Sequence, residues 1–442
     1  MRTEALAAAA LLFAATAATA ASEEELLERI EQLELRIDDL ETDAEERPYE
    51  RSGGGADWTR FVRIGGSANA GYFGGEDNSW VEPDSFQIWD TRLFVDAQLG
   101  DDIELFDREV FRNVGFLFEW NLVRLGELEN DVGEIYADFQ GFLGQDAVNF
   151  QVGRFQIPVG EAYLYYSRGE ARKPFISHPL GGPWWWDEGV RFYGSSGDGM
   201  FGYVASISDG DTPFNTESSY GKQGTLRLFV RPTEWLYASV SGLHSGRTGS
   251  TDSAAHGALW LGETWARAFG AGSDVDNYQD GMLVDDGPNV LIENWLVASD
   301  VILDFEDALR VWLAYGRYDI NSSGGSFYDR VLHYWIAEAI VRGAWISNAL
   351  KPFYVGARGS GLGTYRDDEG YALDARFRPT LGYNMEALTA YSAVFGWDVS
   401  RFLRLRAEYT LLDADLVTGV DSAIRNESTQ IDYFAVEVGA SF

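Results

Sequence analysis

Apolar and polar residues alternate singly through most of this chain, most regularly at its end. Phe434, Val436, Val438, Ala440 and Phe442 fall on one side of an extended strand, and Tyr433, Ala435, Glu437, Gly439 and Ser441 on the other. Successive side chains of a strand point to opposite faces, so this period of two predicts a strand with one apolar wall and one mixed, partly charged wall. The same period starts near Trp58, where Val62, Ile64, Ala68, Ala70 and Tyr72 alternate with Arg63, Ser67 and Asn69. It continues with Trp89, Thr91, Leu93, Val95, Ala97 and Leu99 against Asp90, Arg92, Asp96 and Gln98. Similar runs lie at 113–122, 132–140, 146–157, 188–194, 200–208, 222–231, 235–244, 293–305, 308–317, 331–343, 351–359, 371–384, 388–399, 403–412 and 431–442, which makes seventeen segments.

The connections alternate between very short (232–234, 306–307, 400–402) and long (245–292). No run of ~20 apolar residues beyond the extreme N-terminus provides a membrane helix. A membrane-spanning chain without such helices has to be a closed barrel, since an open sheet edge in lipid leaves its backbone groups without partners. The expected fold is therefore an all-β, antiparallel transmembrane barrel over residues 58–442, with tight turns at one end and long loops at the other. Single-chain barrels of this kind have even strand numbers. Sixteen strands are expected, with eighteen as the alternative, and 371–384 is the weakest segment. A soluble sandwich or propeller would alternate too, but would not give this rhythm of turn and loop.

The first 57 residues follow other rules. Residues 1–20 have the form of an export signal: Arg2, the apolar run Ala5–Ala15, then the small residues Ala18-Thr19-Ala20. Over 21–42 a helix is expected. Ser22 and Glu25 have capping-box spacing, and Leu26, Ile30, Leu33, Ile37 and Leu40 follow at intervals of 4, 3, 4 and 3. This heptad seam predicts a short coiled coil that joins copies of the chain. With Ile30 and Ile37 at position a, Arg29 and Arg36 would face Glu34 and Glu41 of a parallel partner. Such seams favour dimers in isolation, so the barrel would have to decide the copy number. Residues 43–57, charged and then glycine-rich, read as a linker.

Charge changes the picture inside the barrel. The chain carries a formal charge of −36, and acids gather in expected loops, as at Asp274, Asp276, Asp280, Asp285 and Asp286 or Asp367, Asp368 and Glu369. That acidity fits adaptation to salt or binding of divalent cations at the outer surface. Arginines follow the polar side of the strands: Arg63, Arg92, Arg191, Arg227, Arg231, Arg310, Arg358, Arg404 and Arg406 all alternate out of phase with apolar neighbours. Facing lipid at mid-membrane, each would cost ~2–4 kcal/mol, so they are expected to face the lumen. Glu437, on the polar side of the last strand, is likewise expected to face water inside the barrel. Cations around a constriction lower the barrier for anions. The alternative is that the arginines pair with Asp90, Asp96, Glu119, Glu134, Asp138 and Glu408 and stiffen the wall.

The stretch from Pro158 to Glu188 is long for a barrel connection and is the expected constriction loop. It carries Arg168, Arg172, Lys173 and His178 against Glu161 and Glu170, and its Trp184-Trp185-Trp186 would either join an aromatic belt or stack on sugar rings. With no Cys, disulfides, thiol catalysis, iron–sulfur clusters and Cys-held zinc are excluded. The four histidines (His178, His244, His256, His333) have no metal-like spacing, and no nucleophile-elbow or Walker motif occurs. No enzyme activity, cofactor or nucleic-acid partner is expected.

Two resemblances bear on these residues. A strand ending at an aromatic residue such as Phe442 resembles the closing strand of Gram-negative outer-membrane barrels, which implies that the barrel-assembly machinery reads Phe442. Gly153-Arg154-Phe155-Gln156-Ile157-Pro158-Val159-Gly160 resembles the G-x-F-x-x-P-x-G segment of the phosphate-selective porin O/P family. The likeness is best over roughly 85–210 and 388–442. It implies a trimeric, sixteen-stranded porin with an inward-folded loop whose Arg and Lys attract anions. No phosphate ligand of that family maps onto a position here, and the chain has only three lysines, Lys173, Lys222 and Lys351.

The expected function is an outer-membrane channel for passive diffusion of small polar solutes, with a preference for anions, working as a homotrimer among lipid and lipopolysaccharide. Alternatives are a saccharide-specific porin, or an outer-membrane anchor tethered through its periplasmic coiled coil. At ~1.5 Å per residue that coil spans only ~30 Å, which suits a clamp between copies better than a tether to the cell wall.

Overall fold

The computed structural model describes residues 62–75, 85–105, 108–124, 127–145, 147–161, 173–180, 186–210, 221–249, 291–305, 308–322, 330–364, 385–416 and 430–441. The export signal, coiled-coil segment, linker, Arg168, Arg172 and Phe442 lie outside the described residues. Within them are sixteen strands: β1 Val62–Gly75, β2 Ser85–Leu105, β3 Arg108–Arg124, β4 Glu127–Gln140, β5 Asn149–Gln156, β6 Trp186–Ser195, β7 Phe201–Ser208, β8 Gln223–Thr233, β9 Leu236–Gly249, β10 Leu291–Asp304, β11 Leu309–Ser322, β12 Arg330–Arg342, β13 Phe353–Thr364, β14 Met385–Ser400, β15 Leu403–Leu416 and β16 Gln430–Ser441. Each pairs with its neighbours in sequence, and β1 pairs antiparallel with β16 from Ser67↔Ser441 to Gly75↔Tyr433 to close the barrel. The ring has no free edge, so every strand has a hydrogen-bonded neighbour on each side. The segment 371–384 lies outside the described residues, and β13 pairs directly with β14. The ring therefore closes on the lower of the two expected strand numbers.

The alternation sorts the wall into two faces. On β16, Phe434, Val436 and Val438 are 44–49% exposed on the outside, while Tyr433, Ala435 and Glu437 on the inside are at most 1% exposed. On β14, Tyr391, Phe395 and Trp397 point out, and Ala390, Ser392 and Val394 point in. Inward positions carry hydroxyl, amide and charged groups on nearly every strand. Outward positions carry the apolar band.

One end has tight turns, as at 234–235 and 401–402. Its outer rim is aromatic: Trp235 stacks on Phe305 at 5.5 Å between centroids, and Phe353 on Trp397 at 5.6 Å. In the turn between β6 and β7, the Ser196 hydroxyl and the Met200 N–H hold the Asp198 carboxyl below the ordinary range. At the other end the chain between Gly249 and Leu291, and that between Gln156 and Trp186, connect neighbouring strands by much longer routes.

The second of those routes turns inward. Its geometry starts inside β5, where Gly153 has φ +137°, a conformation that only glycine adopts readily, and a Cβ there would sit 2.2 Å from the Ile135 carbonyl oxygen. Gly160 follows with φ +67°, and between the two Phe155, Ile157 and Val159 are fully buried. The glycine-and-proline motif of the sequence is thus a bent strand end that steers the chain off the wall into the lumen.

Candidate functional site

The site is the lumen where this loop crosses it. Leaving β5, the loop first touches β8 and β9. The Gly160 N–H donates to Ser241 Oγ at 3.0 Å, and Glu161 pairs with Arg227 and accepts from the Ser239 hydroxyl. Twelve residues later, 173–180 lies against β13, β14 and β15. In a ring of sixteen, β13 is eight strands from β5, so the loop reaches the opposite wall. The wall residues it meets there are inward-pointing ones, which places 173–180 inside the barrel rather than above it.

Three kinds of contact fasten this stretch. Phe175 is buried among Ile340, Tyr354 and Val394, which removes an aromatic side chain from water at a gain of ~1.5–3 kcal/mol. Arginines cap the loop carbonyls: Arg406 Nη1 donates to Lys173 O at 2.6 Å and Phe175 O at 2.8 Å, Arg404 Nη1 to Lys173 O at 3.1 Å, and Arg358 Nη2 to Ser177 O at 2.9 Å. A carboxylate takes the loop amides: Glu408 accepts the N–H of Ile176 and of Ser177 and the Ser177 hydroxyl. Leu180 N–H donates to Ser360 Oγ at 2.9 Å, and Tyr354 Oη to Pro174 O at 2.8 Å. Buried backbone groups of an irregular segment need such partners, and the polar inner wall supplies them.

The nine arginines divide accordingly. Arg406 also pairs with buried Glu437, Arg404 with Asp398, and Arg92 with Asp90 at 3.0 Å and Glu119 at 3.4 Å. Arg358 and Arg310 share Glu338 at 3.8 and 3.5 Å, and Arg227 holds Glu161. Arg191 donates to neutral oxygens, Gln151 Oε1 at 2.6 Å and Gln156 O at 3.2 Å, and lies over Phe155. Arg63 and Arg231 are exposed, Arg63 opposite Asp96 in register and Arg231 over the Tyr237 ring at 5.5 Å. Among the described residues these last three form no ion pair. Lys173 contributes its carbonyl to the fastening, and of the Trp triplet only Trp186 is described, buried at the start of β6.

Ser177, Ser241, Ser392, Asp398 and Glu338 join the site without having stood out in the sequence; Glu338 is buried on the same face of β12 as Ile336 and Ile340, and with apolar residues on both faces of that strand the alternation does not single it out. Between the loop and the tight-turn mouth lies a cavity of ≈ 550 Å³, lined among others by Glu161, Arg227, Arg231, Glu234, Tyr237 and Arg310.

No family model matches the sequence, and no curated protein does. Solved structures do share the architecture. The chain is similar to OmpT of Vibrio cholerae in its trimer form, at 11% identity and a TM-score of 0.51 over 86% of this chain and 99% of that one. It is similar to the outer membrane channel DcaP of Acinetobacter baumannii at 14% identity and 0.53, over 86% and 97%. Its likeness to OprB of Pseudomonas putida is 10% and 0.53, over 87% and 95%. At these identities what is shared is the fold.

Proposed function

We propose that the chain is an outer-membrane porin, a water-filled channel for passive diffusion of small polar solutes. The observation that carries this reading is the loop from β5 to β6, fastened to opposite walls inside a closed barrel. A barrel that served only as an anchor would have no need of a loop held across its lumen by the buried Glu161–Arg227 pair at one wall and by buried side-chain hydrogen bonds to its backbone at the other. The barrel architecture shared with the DcaP channel supports the same reading. The tight-turn end would face the periplasm and the long loops the outside, with lipid around the apolar band and lipopolysaccharide beside the acidic loops. A homotrimer is part of the proposal, supported by the trimer form of V. cholerae OmpT and by the heptad seam at Leu26–Leu40. The barrel-assembly machinery would act on Phe442.

The finer proposal, a preference for anions, rests on Arg63, Arg191 and Arg231. The other six spend their charge on carboxylates. Reversal potential across a KCl gradient tests it: a cation-preferring pore removes it. Swelling of liposomes containing the full chain tests the channel itself. Entry of small sugars and amino acids with exclusion of large ones is expected, and no swelling with any solute would sink the reading.

A further inference from the structure

The cavity between the loop and the tight-turn mouth has a charge pattern of its own. Most of its charged groups are occupied. Arg227 pairs with Glu161, Arg310 with Glu338 at 3.5 Å, and Asp304 with Arg342 at 3.1 Å. Two are left, one of each sign. Arg231, at the end of β8, and Glu234, in the turn that follows, both line the cavity and form no ion pair among the described residues. Around them the wall is aromatic: Phe229 and Tyr237 stack at 5.7 Å, and Tyr193 also lines the space. Its volume of ≈ 550 Å³ falls within the ~300–1,000 Å³ of small-molecule sites.

A solute matched to one guanidinium, one carboxylate and an aromatic wall has an anionic group, a cationic group and an apolar part. An inorganic anion would use Arg231 and be repelled by Glu234. A cation would meet the reverse. A neutral sugar would gain hydrogen bonds but leave both charges without a counter-charge. We infer that this cavity binds zwitterions, amino acids and short peptides, with the carboxylate on Arg231, the ammonium on Glu234 and the side chain against Phe229 and Tyr237. Charge-assisted hydrogen bonds at both ends fix the orientation. The inference rests on the channel reading above for its purpose, but not for its chemistry.

The test uses L-phenylalanine as the zwitterionic probe, with phenylacetate, phenethylamine and glucose as its anionic, cationic and neutral counterparts. Affinity is measured by titration calorimetry on the full chain in detergent, and conductance separately in planar bilayers. L-phenylalanine should bind more tightly than the other three, and Arg231→Gln and Glu234→Gln should each weaken it about tenfold, the effect of losing one charge-assisted bond. Arg231→Lys should recover part of the loss. Equal binding of phenylacetate, or no effect of Glu234→Gln, overturns the inference in favour of a simple anion site. Equal binding of glucose overturns it in favour of a sugar site. Conductance without L-phenylalanine binding overturns the inference alone; binding without conductance overturns the channel reading alone.

Discussion

Glu408 on β15 accepts the backbone N–H of Ser177 at 3.2 Å, and the Ser177 hydroxyl as well, although 231 residues separate the two in sequence. The same carboxylate takes the Ile176 N–H. Glu408→Ala strands these donors in a buried place, at ~1–3 kcal/mol each. Arg358, Arg406 and Phe175 still hold neighbouring loop atoms, so the barrel should persist while the loop loosens. Single-channel records should show larger open-state noise than the parent. Identical noise would mean that Glu408 does not restrain the loop.

The loop's position can be fixed covalently because the chain has no cysteine of its own. Ser177 Oγ and Ser392 Oγ are 3.3 Å apart, so cysteine sulfurs at these two positions would start near each other and have to close to about 2.05 Å to form the bond. Ser177→Cys with Ser392→Cys should oxidise readily and leave the conductance near the parent value, since the bond locks a position the loop already occupies. Failure to cross-link, or a large fall in conductance on oxidation, would place 173–180 elsewhere.

Arg406 and Glu437 form a buried pair, with Arg406 also capping two loop carbonyls. Removing one partner leaves the other charge buried alone, so Arg406→Met should destabilise the barrel by ~3–5 kcal/mol. The double variant Arg406→Met, Glu437→Leu should recover much of that. Guanidinium unfolding of refolded protein in detergent measures both, and a double variant no better than the single one would contradict the pairing.

Alternation is a local property, so it suffices to put Glu437 and Arg406 on the inner wall and Val436 on the outer one. It does not specify pairing: the alternating segment 371–384 lies outside the described residues, and β13 pairs with β14 without it. The loop is legible from its length and from Gly153 and Gly160, whose positive φ explains the motif. What local pattern cannot give is partner choice across the barrel. Glu437, expected to face water, meets Arg406 instead, and the Lys173 carbonyl accepts from both Arg404 and Arg406. The loop contacts of Lys173 join residues 231 and 233 positions apart and depend on where the loop lands.

The outer face can be probed separately. Val436 is 49% exposed at the middle of β16, on the apolar side. Val436→Arg should cost ~2–4 kcal/mol in a bilayer, measured by unfolding from lipid vesicles. A neutral effect would mean that this face does not meet hydrocarbon.

A loop fastened across the lumen should narrow an open, water-filled barrel, and single-channel recording of the full chain in planar bilayers in KCl reads that narrowing. Discrete, stable conductance steps are expected, enlarged when the loop contacts of Glu408, Arg358 and Arg406 are removed together. A chain that inserts but gives no steps, or steps unchanged by loss of those contacts, would contradict a channel narrowed by its own loop.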